Sequence, residues 1–134
     1  MIYQRVKGDC CICAIAMAVG ATYEDVVSKI GKHDFAKFGV SQDLELEVLR
    51  AYGWKPVLTF SFPYQEPCIL SVASLNYYGT LHSVYWDGKR MYDPSTERQH
   101  DYKSACLGYA GAVMDEGSYS REVVEYERSI GYRV

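Results

Sequence analysis

Asp9-Cys10-Cys11-Ile12-Cys13-Ala14-Ile15-Ala16-Met17-Ala18-Val19-Gly20 is the stretch on which the fold turns. Apolar residues occupy every side of a helix drawn through it. Residues 10–20 are therefore expected to form a helix buried at the centre of the domain rather than one lying on its surface. Asp9 is the expected N-cap, its carboxylate accepting the first free backbone N–H groups. A cysteine that opens such a helix sits at the partially positive end of the macrodipole, which favours thiolate over thiol. Gln4, shortly upstream, offers an amide donor for the oxyanion that forms when a thiolate attacks a carbonyl.

Outward from this helix the chain reads helices first and strands later. Thr22-Tyr23-Glu24-Asp25 resembles a capping box and starts a helix ending near Gly31. Ser41, with Leu44, Val48 and Leu49 behind it, starts a third helix that Gly53 stops. Val57–Phe62 and Cys68–Ala73 are apolar and β-branched enough to be strands, separated by a loop at Pro63–Pro67. A short helix is expected at 101–114 and a further strand at 119–127. No internal repeat is visible. The layout is α+β, N-terminal helices packed on one side of a small antiparallel sheet, with residues 1–134 expected to form a single domain.

Residues 81–86 (Leu-His-Ser-Val-Tyr-Trp) and 89–93 (Lys-Arg-Met-Tyr-Asp) flank Asp87-Gly88, the signal of a two-residue hairpin turn of type I′. That register sets Trp86 opposite Lys89, Val84 opposite Met91 and His82 opposite Asp93, with roughly 4.5–5.5 Å between paired Cβ atoms. A carboxylate beside a histidine accepts one ring N–H, fixes the tautomer and leaves the other nitrogen free as a base. Taken alone, such a pair reads as a satisfied structural contact. Beside a cysteine at a helix start it reads as the base and orienting acid of a thiol nucleophile.

Gln4 six positions before Cys10, Asp9-Cys10, the small-apolar helix to Gly20, His82 and Asp93-Pro94 together resemble a papain-like cysteine peptidase. Within that group the pattern is most similar to the peptidases that remove double-glycine leaders from bacteriocin precursors, and to their stand-alone relatives. The matching motifs lie at 4–20 and about 68–95, and Cys11 stands where that family usually has glycine. The resemblance implies a papain-like fold, Cys10 as nucleophile, His82 and Asp93 completing the triad, and Gln4 shaping the oxyanion hole. It implies a peptide or protein substrate and no cofactor. Tyr77 and Tyr78 precede His82 on an extended segment, so one is expected to face the core and the other the cleft, where it would line the substrate channel. An aromatic wall there would admit a small-residue chain such as a Gly-Gly terminus.

Composition is consistent with this. A chain of 134 residues with formal charge −3 has no basic stripe for nucleic acid. The longest apolar run, Cys10 to Ala21, is too short to span a bilayer, and the N-terminus lacks the pattern of a removable signal. Of the five cysteines, three lie at positions 10, 11 and 13, which suits a reducing cytoplasm better than a disulfide framework. Cys11 should point about 100° around the helix from Cys10; Cys13, Cys68 and Cys106 read as core. Zinc would need two closely spaced ligand pairs and the chain offers one, so no metal is expected. His33 and His100, among charged residues, read as solvated. Two classes of function remain open. One is a thiol hydrolase of peptide, isopeptide or amide bonds, with a transferase or deamidase as a variant of the same chemistry. The other is a binding or inhibitory module on the same fold.

Overall fold

The computed structural model describes residues 1–62, 65–118 and 129–130. Helix α1 runs Cys10–Val19 and ends at Gly20, whose φ of 72° suits a residue without a Cβ. Helix α2 (Tyr23–Ile30) is capped by the Thr22 hydroxyl, which accepts from Asp25 N–H at 3.1 Å. Helix α4 (Gln42–Ala51) is capped in the same way by Ser41 on Leu44 N–H. Between them lies α3 (Phe35–Phe38), a single turn capped by Asp34 that the sequence reading did not anticipate.

Among the described residues five strands form one antiparallel sheet: β1 (Pro56–Thr59), β2 (Cys68–Ala73), β3 (Leu81–Trp86), β4 (Met91–Tyr92) and β5 (Tyr109–Asp115), in the order β1-β5-β2-β3-β4. Ile69 and Val113 pack under α1, α2 and α4. Cys68, Leu70, Val72, Val84, Trp86 and Met114 pack in a second cluster with Ala105 of α5 (Tyr102–Leu107). The described residues are therefore an α+β arrangement with helices on both faces of the sheet rather than on one, because α5 covers the face turned away from α1. No single described helix is long and apolar enough to cross a membrane.

Several expectations are corrected. Residues 101–114 do not form one helix: α5 stops at Leu107, and Tyr109–Asp115 becomes β5, paired on both sides. Burial between β1 and β2 overrides the local helical pattern. Strand β1 ends at Thr59 rather than at Phe62, because the Thr59 hydroxyl accepts from Ser61 N–H at 3.1 Å and turns the chain. Cys106 is exposed. The strand expected at 119–127 lies outside the described residues.

The hairpin register also differs. The pairs are Tyr85 with Tyr92 and Trp86 with Met91, so His82 and Asp93 are not directly opposed. The Asp87 carboxylate accepts from both Lys89 N–H and Arg90 N–H at 2.7 Å, and Asp87 N–H donates to the Arg90 carbonyl at 3.1 Å. This closes a loop over 87–90 in place of a two-residue turn. The pairing slips by two positions, and an even slip keeps every side chain on its face. His82 and Asp93 therefore remain on the same face as diagonal rather than opposed neighbours.

Candidate active site

Cys10 begins α1, half-buried, at the wall of a cleft of about 860 Å³ that Gln4, Glu45, Tyr77 and His82 also line. His82 stands between two groups. Its Nε2 meets Asp93 Oδ1 at 2.7 Å, and Cys10, which lines the same cleft, is close enough to act on its titration. Burial alone would lower the His82 pKa, but the bond to Asp93, and then the Cys10 sulfur, push it up to about 9.

Asp93 is only 3% exposed and fully engaged. Its Oδ1 also accepts from Ser95 N–H at 2.8 Å, and Oδ2 accepts from His100 N–H at 2.7 Å. Burial would raise its pKa, yet these donors, His82 first, hold the carboxyl below its ordinary range. His100 is not the solvated residue the sequence suggested. It is buried, with Nε2 at 2.7 Å from the Ala73 carbonyl, Nδ1 at 2.9 Å from Ser104 Oγ, and its ring stacked 6.5 Å from that of His82. Surrounding charge in the sequence hid this, because the partners lie 27 and four positions away. His33, by contrast, is exposed and meets only the Gly39 carbonyl.

Asp9 precedes α1 but does not cap it. Its Oδ2 accepts from Arg5 N–H at 2.9 Å, from Val6 N–H at 3.2 Å and from the Tyr23 hydroxyl at 2.7 Å, while Oδ1 is buried with no partner among the described residues. The α2 phenol captures the carboxylate that the sequence assigned to the helix start. The first intrahelical bond is Cys13 N–H to the Asp9 carbonyl, and Cys10 N–H, the first position of the helix, donates to no described group. A free backbone donor at that position can receive an oxyanion.

Gln4 is tied to the acid's segment by its own N–H, which donates to the Pro94 carbonyl at 2.8 Å. Its Nε2 meets the Val6 and Lys7 carbonyls at 3.3 and 3.2 Å, long contacts within its own loop. Arg5 stacks 4.0 Å over Tyr23 and pairs with Glu24 at 2.8 Å, so α2 holds this loop from below. From the side it is held by α3: a Cβ on Gly8 would fall 1.9 Å from the Phe35 carbonyl oxygen. Gly8→Ala is therefore expected to destabilise the protein by roughly 1–3 kcal/mol through backbone displacement, read as a lower melting temperature. An unchanged melting temperature would mean that α3 does not seat against the loop.

Tyr77 lines the cleft under the Lys7 ammonium, 4.2 Å from its ring centre, and Tyr78 is fully exposed. Neither faces the core, contrary to expectation. The segment is a turn rather than a strand: Ser74 Oγ accepts from Asn76 N–H and Tyr77 N–H, and Thr80 Oγ donates to the Tyr77 carbonyl. Alternation therefore does not apply to it. Asn76, which the sequence did not single out, fastens this turn to the segment after Asp93. Its Nδ2 donates to Ser95 Oγ and to the Arg98 carbonyl, both at 3.0 Å.

The remaining sulfurs are separate. Cys13 is buried under α2 and α4, and Cys68 in the second core cluster. Cys11 is turned into the protein, donating to Glu45 Oε2 at 3.1 Å, and burial first, then Glu45, pushes its thiol well up. Among the described residues no group of three or more His, Cys, Asp or Glu could hold a metal ion. Compared with known proteins, the chain matches no family model and no curated sequence, so the reading of this site rests on its residues and their geometry.

Proposed function

We propose that this chain is a cysteine-dependent hydrolase of peptide, isopeptide or amide bonds, of papain-like fold and mechanism. The observation that carries the proposal is the grouping of Cys10, His82 and Asp93: a half-buried cysteine at a helix start shares a cleft with a histidine that meets, at 2.7 Å, a carboxylate held by two backbone N–H groups. A satisfied structural His–Asp pair has no need of a sulfur beside it or of an open cleft.

In this reading the Cys10 thiolate attacks the carbonyl carbon, and Cys10 N–H receives the developing oxyanion. The Gln4 amide joins it by exchanging its long contacts to the Val6 and Lys7 carbonyls for the stronger charged acceptor. Imidazolium His82 then gives its proton to the leaving amine as the C–N bond breaks, producing a thioester. A water molecule, deprotonated by His82, attacks the thioester. The acid product leaves and the sulfur is restored. Asp93 keeps the imidazole oriented throughout and balances its positive form.

The test is to treat the folded protein with a peptidyl electrophile and map the modified cysteine. Cys10 is expected to be labelled first, ahead of Cys106, which is exposed but lies outside the cleft. Labelling at Cys106 with Cys10 untouched would reject the nucleophile and leave a binding module as the better reading.

A further inference from the structure

We infer that the cleft contains a subsite for a cationic substrate side chain, a lysyl ammonium, in a recess walled by Glu45, Cys11, Ser71 and Ser83; the inference rests on the hydrolase reading above. Cys10, Cys11, His82 and Ser83 all line this one cleft, so the recess opens into the same space as the reacting sulfur. Ser71 and Ser83 are paired across β2 and β3. Ser71 Oγ has no hydrogen-bond partner among the described residues.

Glu45 comes from α4 and is only 6% exposed, yet it lines the cleft. Its Oε2 accepts from Cys11 at 3.1 Å, and no other hydrogen bond reaches the carboxyl among the described residues. A deeply buried carboxyl with unused acceptor capacity at a cleft wall is suited to a cationic partner. Burial raises its pKa, with the Cys11 bond pulling the other way, and a cation beside it favours the charged form.

The donor and acceptor chemistry selects the ligand. An ammonium has three donors and no acceptor, and the recess presents a carboxyl and two hydroxyl oxygens. Guanidinium prefers a bidentate carboxylate, but one Glu45 oxygen already receives Cys11. An acidic side chain would meet Glu45 directly, and a glycine would leave it unfilled. Of the basic residues lining the cleft, Arg5 is paired with Glu24, and Lys7 and Lys37 are exposed, over the Tyr77 and Phe38 rings, where solvent screens them.

Peptidyl chloromethyl ketones carrying lysine, norleucine or glutamate at each of the two positions nearest the reactive group test this, with Cys10 alkylation followed by intact mass. At one position the lysyl probe is expected to react on the order of tenfold faster than its norleucyl counterpart, with the glutamyl probe slowest. In E45Q the lysyl-to-norleucyl ratio should fall to near one. Equal lysyl and norleucyl rates in the wild-type protein at both positions would overturn the subsite and leave the hydrolase reading standing. A lysyl preference that persists in folded E45Q would remove Glu45 from it. Failure of every probe to modify Cys10 would take down both. The wild-type comparison decides the matter even if E45Q does not fold.

Discussion

Cys10→Ala is expected to abolish hydrolysis of any amide substrate that the wild-type protein turns over, by a factor on the order of 10⁵ or more. Without the sulfur no thioester forms, and what remains is the binding and electrostatic contribution of the cleft. The fold should persist. Cys10 is half-buried at the first turn of α1, and the core of that helix is built from Ile12, Cys13, Ala14, Ile15 and Ala16, which the change leaves in place. Steady-state rates with far-ultraviolet circular dichroism on the same samples separate the two effects. A folded Cys10→Ala protein that kept its turnover would end the nucleophile assignment.

Asp93→Asn should lower turnover by roughly 10³–10⁴ while barely changing the shape of the site. Both Asp93 oxygens accept: Oδ1 from His82 and Ser95 N–H, Oδ2 from His100 N–H. Asparagine replaces one acceptor with a donor. If the amide keeps its oxygen toward His100, its N–H₂ faces His82 Nε2. The imidazole must then carry its proton on the nitrogen nearer Cys10, where it cannot act as a base. If the amide flips, His100 N–H meets another donor. Wild-type turnover in this variant would mean that Asp93 does not orient His82.

The same substitution changes stability with pH in a defined direction. His82 rises from an ordinary value of 6.5 to about 9 on folding, so its stabilisation is complete below 6.5 and is lost as pH climbs through about 9. Asp93 is held below its ordinary 3.8, so its contribution is present above that value and is lost as pH falls through the depressed one. The wild-type melting temperature should be level between about pH 3.8 and 6.5, decline as pH rises from 6.5 to about 9, and lose no more from His82 above that. In the Asn variant the plateau should be lower and the alkaline decline weaker, since His82 has lost the carboxylate bond that does most to raise it.

How much of this was legible beforehand follows from how far apart the deciding groups lie. The Thr22 and Ser41 caps act on residues three positions on, and the all-round apolar character of 10–20 is visible within one window. Those helices and the strand Cys68–Ala73 were therefore readable. The slip of the 81–93 hairpin was not, because the Asp87 carboxylate outcompeted the turn that Asp87-Gly88 usually makes. The His82–Asp93 contact survived because an even slip preserves the face. Tyr109–Asp115 could not be assigned locally, since its strand character comes from β1 and β2, about 37–59 residues earlier in the chain.

By itself the sequence determined that a cysteine would open a buried helix, that His82 and Asp93 would share a face, and that helices would lie against an antiparallel sheet. Each depends on periodicity or on groups a few positions apart. Tertiary structure alone decided what Cys10, His82 and Asp93 have around them. Tyr23 draws the Asp9 carboxylate away from the start of α1; His100, buried through Ala73 and Ser104, holds Asp93 from behind; Glu45 reaches Cys11 from 34 positions away. These are bonds between side chains whose sequence separation carries no periodic signal, and only the packing of α2, α4 and the sheet around α1 brings them together.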